Sequence, residues 1–216
     1  MTGWTAIVPV KPWTLAKTRL ALPGDARERL ARAFALDTLD TLVESRHVTS
    51  IVVVTAESEM AAAAAGVPGT VVREDRPMLS RDHLNAAIRL GRSWAVGRRP
   101  GAPVVVVPSD LPALRPEDLD EALVALGRHD RAHVVDADGH GTTLVAAARP
   151  ALLRTVYGRG SAAAHRRQGS VIEPGVDPRV RRDVDLPEHL EQARHLGLRP
   201  HALAVVDALV ARAGAA

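Results

Sequence analysis

The chain has 216 residues, 28 Lys and Arg against 25 Asp and Glu, a formal net charge of +3 and no cysteine. That length suits a single domain spanning 1–216, able to bury roughly 70% of its extended surface, and the missing cysteines exclude a disulfide framework, a thiolate nucleophile and a Cys-based zinc site. No apolar run reaches transmembrane length and no secretory pattern opens the chain, so a cytoplasmic protein is expected.

Thr5–Val10 is the first expected strand. The loop after it, Lys11–Leu20, holds Lys11, Lys17 and Arg19 and no acid. Those two are the only lysines of the chain, and lysine serves as a compact charge for phosphate. Open α/β nucleotide binders hold phosphate at this point. The loop is not a Walker A motif, since Lys11 and Ala16 stand where glycine is required, nor a G-x-G-x-x-G fingerprint. Asp25 with Glu28 reads as a capping box opening a helix to about Glu44. Ile51–Thr55 is a second strand, Glu57–Ala65 a short helix, Thr70–Arg73 a third strand and Glu74–Arg81 a polar loop with Pro77. Leu84, Ala87, Ile88, Gly91 and Ala95 mark an amphipathic helix. Asn85 lies off that stripe, where its amide can read a base edge or simply face solvent.

Val104–Val107 places four β-branched residues in a row, the pattern of a strand buried on both faces. Asp110 therefore stands at the carboxyl end of a central strand, where open α/β sheets place their ligands. The next helix begins at Pro116, too far on for Asp110 to cap it. Strands alternating with helices to this point predict a mostly parallel sheet flanked by helices. Ala132–Val135 and Thr142–Ala148, joined by Asp136–Gly141, read as a hairpin or an edge excursion. Tyr157–Ser161 is a loop leading into a short helix, which Ser161 can cap or whose start can hold an anion. Val180–Asp185 reads as extended, so Asp183 and Asp185 point to one side. A helix, Pro187–His195, follows, and the tail from 199 to 216 is expected to be peripheral.

Cations after the first strand, a carboxylate ending a central strand and a later carboxylate pair form a set suited to nucleotidyl transfer. A triphosphate needs cations, and Mg²⁺ takes oxygen ligands, usually one or two carboxylates plus phosphate oxygens. Catalysis is then alignment and charge neutralisation for in-line attack at phosphorus. An arginine-rich nucleic-acid binder is the reading invited by an isoelectric point near 10.1. The small net charge and 2% aromatic content argue against it, because stacking platforms are scarce.

The stretches Ile7–Lys11, Ala16–Leu20, Leu84–Ala87, Asp110–Leu114, Gly141–Thr143, Gly158 with Ser161, and Arg182–Asp185, in this order, resemble the small guanylyltransferases of coenzyme F-420 biosynthesis, the CofC/FbiD family. The resemblance runs from Trp4 to about Leu198. It implies a Rossmann-like, glycosyltransferase-A-type nucleotidyltransferase fold with a β excursion in the second half. It also implies transfer of a guanylyl group from GTP to phosphoenolpyruvate or 2-phospho-L-lactate, release of pyrophosphate, and hand-over of the product to a downstream transferase. Carried over by position, Thr142, Gly158 and Ser161 would hold the phospho-acid and Asp110, Asp183 and Asp185 the Mg²⁺. Lys17 would act with Asp110 in catalysis, and Lys11, Lys17 and Asn85 would meet the nucleotide. The alternative is another nucleotidyltransferase of this fold, of molybdenum-cofactor or sugar-phosphate type, although those carry a glycine-rich loop after strand one that is absent here.

Overall fold

A computed structural model describes residues 3–74 and 82–213, so most of the polar loop expected over Glu74–Arg81 lies outside the described residues. Among the described residues the strands are β1 (Trp4–Val10), β2 (Val48–Thr55), β3 (Thr70–Glu74), β4 (Val104–Val106), β5 (Arg131–Val135), β6 (Thr142–Ala147) and β7 (Val171–Ile172). They form one sheet in the order β3-β2-β1-β4-β6-β5-β7. The helices are α1 (Gly24–Glu44), α2 (Ser58–Ala65), α3 (His83–Arg98), α4 (Pro116–Leu126), α5 (Ser161–Arg167), α6 (Pro178–Arg181), α7 (Pro187–Leu196) and α8 (Pro200–Ala213).

β1 pairs in parallel with β2 and β4, and β2 with β3. The two strands expected as a hairpin or edge excursion do pair antiparallel, but β6 wedges between β4 and β5 and runs against both. That reversal sets up the site. Val106 lies opposite Val145, so the start of β6, with Thr142, sits at the end of the sheet where β4 delivers Asp110.

The period-two alternation of β1 divides its side chains between two cores. Ala6, Val8 and Val10 join Leu39 and Leu42 of α1 and Leu119, Leu123 and Leu126 of α4. Ile7 turns to the opposite face, with Val52, Val104 and Val106 under Ala87 and Ile88 of α3. Here Gly91 is required by a close approach: a Cβ at this position would lie 2.6 Å from Cγ2 of Ile7.

Three expectations change. The capping box does not form: α1 begins at Gly24, behind Pro23, without a side-chain cap. Asp25 falls within the first turn, where its charge suits the positive end of the helix dipole. Val180–Asp185 is not one strand, because Pro178–Arg181 forms a helical turn whose first N–H groups are met by Asp177. The tail expected to be peripheral is docked. Ala202 and Val206 of α8 pack with Leu30, Phe34, Val184 and Ala193, and the Asp37 carboxylate accepts the backbone N–H groups of His201 (2.9 Å) and Ala202 (2.8 Å). Among the described residues no helix is long and apolar enough to cross a membrane.

Candidate active site

The loop after β1 is held from outside. Nη1 of Arg27, on α1, donates to the carbonyls of Thr14 (3.0 Å) and Ala16 (2.7 Å), and Oε1 of Glu57 accepts the N–H of Trp13 at 2.7 Å. Lys17 then adopts a left-handed backbone with φ 53°, a strained choice for a residue with a Cβ and one that clusters at functional sites. The conformation turns its side chain inward. Nζ donates to Oδ2 of Asp110 at 2.6 Å and to Oδ1 of Asp185 at 3.3 Å. Burial pulls the Lys17 ammonium down, but the two carboxylates outweigh it and hold the group above its ordinary value.

The carboxylates come from two distant segments tied together through the backbone, the Val184 N–H donating to the Asp110 carbonyl at 3.1 Å. Asp185 is pulled up by burial but held below its usual range by Lys17, with Arg19 and Lys11 adding to the effect. Arg19 stands 3.7 Å from Oδ2 of Asp185. Asp183 is the opposite case. Burial, then Asp110, Asp185 and Asp136, push its carboxyl up to about 7 against the weaker pull of Lys17. Oδ1 of Asp110 is buried without a hydrogen-bond partner among the described residues. The site thus gathers more negative charge than Lys17 neutralises. Among the described residues no three acidic or histidine side chains already stand in a ligating arrangement.

Thr142 and Ser161 are both buried. The Ser161 hydroxyl lies 3.0 Å from Oγ1 of Thr142. Ser161 is therefore not the cap of α5: Gly160, with φ 71°, precedes the helix in the left-handed conformation, and Ser161 points instead at β6. Gly158, with φ 140°, lines the cleft. Asn85 departs from the role expected of it. It is 3% exposed, and its amide is taken up by protein rather than free to read a base. Nδ2 donates to the Tyr157 carbonyl (2.9 Å) and to Asp82 (2.9 Å), and Oδ1 accepts the Tyr157 N–H (3.0 Å). It clamps the backbone next to Gly158.

Lys11, Lys17, Asp110 and Asp185 line a cleft of about 180 Å³. Lys11, Leu15 and Leu84 continue from it into a recess of about 370 Å³, closed by Ala87, Tyr157 and Gly158. Lys11, Lys17, Asp110, Asp185 and Gly158 therefore share one opening, while the buried Thr142 and Ser161 stand behind its wall. Sequence reading passed over Tyr157 and His165. Tyr157 is held well above its ordinary pKa by burial and by Asp110, and its hydroxyl donates to the Thr143 carbonyl at 2.9 Å. His165 had a visible signal: it follows Ser161 by one helical turn and so shares its face.

The family description "Guanylyl transferase CofC like" matches residues 4–170. The chain is 40% identical over 210 residues to the phosphoenolpyruvate guanylyltransferase of Streptomyces scabiei, covering 96% of this chain and 97% of that protein. It is 41% identical over 209 residues to the enzyme of the same name from Streptosporangium roseum, covering 95% and 91%. Among solved structures it is similar to 4-diphosphocytidyl-2C-methyl-D-erythritol synthase, with TM-score 0.59 and 13% identity, covering 91% of this chain and 99% of that one; this likeness concerns the fold alone. A family match over most of the chain and near-full-length relatives at about 40% identity agree: the chain belongs to the CofC-like guanylyl transferase family.

Proposed function

We propose that the chain transfers the guanylyl group of GTP to the phosphate of phosphoenolpyruvate. What carries this reading is the single opening in which Lys11, Lys17 and the carboxylates of Asp110 and Asp185 are continuous with the Gly158 loop; the names of the relatives support it. A phosphate oxygen of the acid attacks the α-phosphorus of GTP, the bond to the bridging β-phosphate oxygen breaks, and pyrophosphate leaves. The attacking oxygen is already ionised, so no general base is needed. Lys17 and Lys11 would neutralise phosphate charge, while Thr142, Gly158 and Ser161 would hold the acid.

A divalent cation fits the donor set. The unpartnered buried oxygen of Asp110 and the proton-retaining Asp183 are what such an ion would satisfy, with phosphate oxygens completing the shell of Mg²⁺. Asp110 and Asp183 would hold it, with Asp185 alongside; when bound it supplies charge neutralisation at the triphosphate. The product carries a phosphate–phosphate anhydride, an activated bond that a downstream transferase can consume, and the reaction belongs in the cytoplasm.

The test incubates the purified chain with each of GTP, ATP, CTP and UTP plus phosphoenolpyruvate or 2-phospho-L-lactate, follows pyrophosphate and identifies the product by mass spectrometry. A guanylyl adduct of phosphoenolpyruvate is expected. Absence of pyrophosphate with every nucleotide and both acids sinks the reading, and a dominant adduct with another base or with 2-phospho-L-lactate reassigns the substrate.

A further inference from the structure

Behind Thr142 and Ser161 the structure holds a third buried polar residue, His165 of α5, which takes no part in the chemistry above. Both of its ring nitrogens are engaged. Nε2 faces the backbone N–H of Val156 at 3.0 Å, and that N–H can only donate, so Nε2 is an acceptor and bears no hydrogen. The hydrogen of the neutral ring is therefore on Nδ1, 3.1 Å from Oγ1 of Thr142. The ring's surroundings agree with an uncharged state. His133 lies with its ring centroid 5.5 Å away and Tyr157 presents an edge at 5.4 Å. Burial, His133 and Arg131 together lower the His165 pKa to about 4.

The hydrogen count then has one outcome. Nδ1–H occupies one lone pair of the Thr142 oxygen. One hydroxyl hydrogen of the Thr142–Ser161 pair is used between the two oxygens. The other has no acceptor among the described residues. We propose that His165 is a positioning residue that presets this hydroxyl pair, leaving one O–H directed outward as a donor for an anionic group, here the carboxylate or phosphate of the three-carbon acid. The inference rests on the functional reading above only for the identity of that anion. His165 touches no reacting atom. It fixes which way the hydrogens of Thr142 and Ser161 point before substrate arrives, and so lowers the ordering cost of binding.

The experiment has two arms on the full chain. In the first, ¹⁵N-labelled protein is examined by imidazole NMR from pH 5.5 to 8. Expected is a neutral ring with hydrogen on Nδ1 throughout, whose Nδ1 resonance moves when phosphoenolpyruvate is added and not when GTP alone is added. A hydrogen on Nε2, a charged ring at pH 7, or no response to the acid overturns the proposal. In the second, steady-state kinetics compare His165→Leu and His165→Asn, the latter keeping a donor near the Nδ1 position. His165→Leu should raise KM for phosphoenolpyruvate about tenfold, the worth of one oriented hydrogen bond, with KM for GTP and kcat little changed, and His165→Asn should recover most of that loss. Equal losses for both substrates, or no recovery with asparagine, would mean that His165 only packs. Should both variants fail to fold, the first arm decides. A wild-type chain that forms no adduct refutes the substrate assignment, and the tautomer and the response to added acid still judge the network.

Discussion

Asp183→Asn should stabilise the ligand-free protein near neutral pH while removing its activity. In the native state the Asp183 carboxyl is raised from an ordinary value of 3.8 to about 7 by burial and by Asp110, Asp185 and Asp136, with Lys17 opposing. A group that holds its proton more tightly folded than unfolded contributes stability at low pH that is lost as pH rises through the folded value. Between about pH 4 and 7 the wild type therefore loses stability. At about 1.4 kcal/mol per pH unit the full difference corresponds to roughly 4 kcal/mol. The neighbouring carboxylates share the proton and solvent reaches the cleft, so we expect about 2 kcal/mol. Asparagine imitates the protonated acid at every pH. Urea unfolding of both proteins at pH 4.5 and 7.5 should show nearly equal stability at the lower pH and the variant ahead by about 2 kcal/mol at the higher. Added Mg²⁺ should raise the midpoint of the wild type and leave that of the variant almost unmoved. A variant that is weaker at pH 7.5, or a gap independent of pH, would refute the view that repulsion among these carboxylates is stored for a cation.

Asp110→Asn should lower turnover by about a hundredfold or more while the fold survives, checked by pyrophosphate release and circular dichroism; near-normal activity would place the phosphate chemistry elsewhere. Lys17→Ala should raise KM for GTP and cost about 2 kcal/mol of stability at pH 8, because two partly buried carboxylates lose their ammonium partner. That loss should shrink as pH falls and the carboxyls protonate. Asn85→Ala removes both hydrogen bonds to the Tyr157 backbone and should cost about 2 kcal/mol; crystallographic or exchange data should locate the loosening at Tyr157–Gly158, and an unchanged exchange rate there would contradict the clamp. Gly91→Ala forces α3 away from Ile7 and should cost about 1–3 kcal/mol, read as a lower melting temperature with kcat at 20 °C unaltered.

Much of this molecule was legible in one dimension. The run Val104–Val107 announced a strand buried on both faces, and the turn after it put Asp110 at a sheet end, because two Pro residues cannot continue a ladder. The only two lysines, in one acid-free loop, both line the cleft that Asp110 and Asp185 share. Helix starts were read less well. Proline at the first turn served at Pro116 and Pro187, whereas the expected capping box at Asp25 lost to a cap two residues earlier, at Pro23. Asp183 and Asp185 were singled out from a segment read as extended, whose first half is a helical turn.

Other features had no local signature. No spacing reveals that β6 inserts antiparallel beside β4, yet this insertion brings Thr142 to the sheet end where Asp110 emerges. Nothing around Asn85 says that its amide will be consumed by a backbone 72 residues away. Composition and periodicity report which side chains prefer burial and which backbone angles are easy, and these are properties of short segments. Which donor meets which acceptor, and how far burial and neighbouring charges shift the protons of Lys17, Asp183 and Asp185, depends on distances between segments remote in the chain. Those distances exist only once the packed cores have fixed the sheet and its helices against each other.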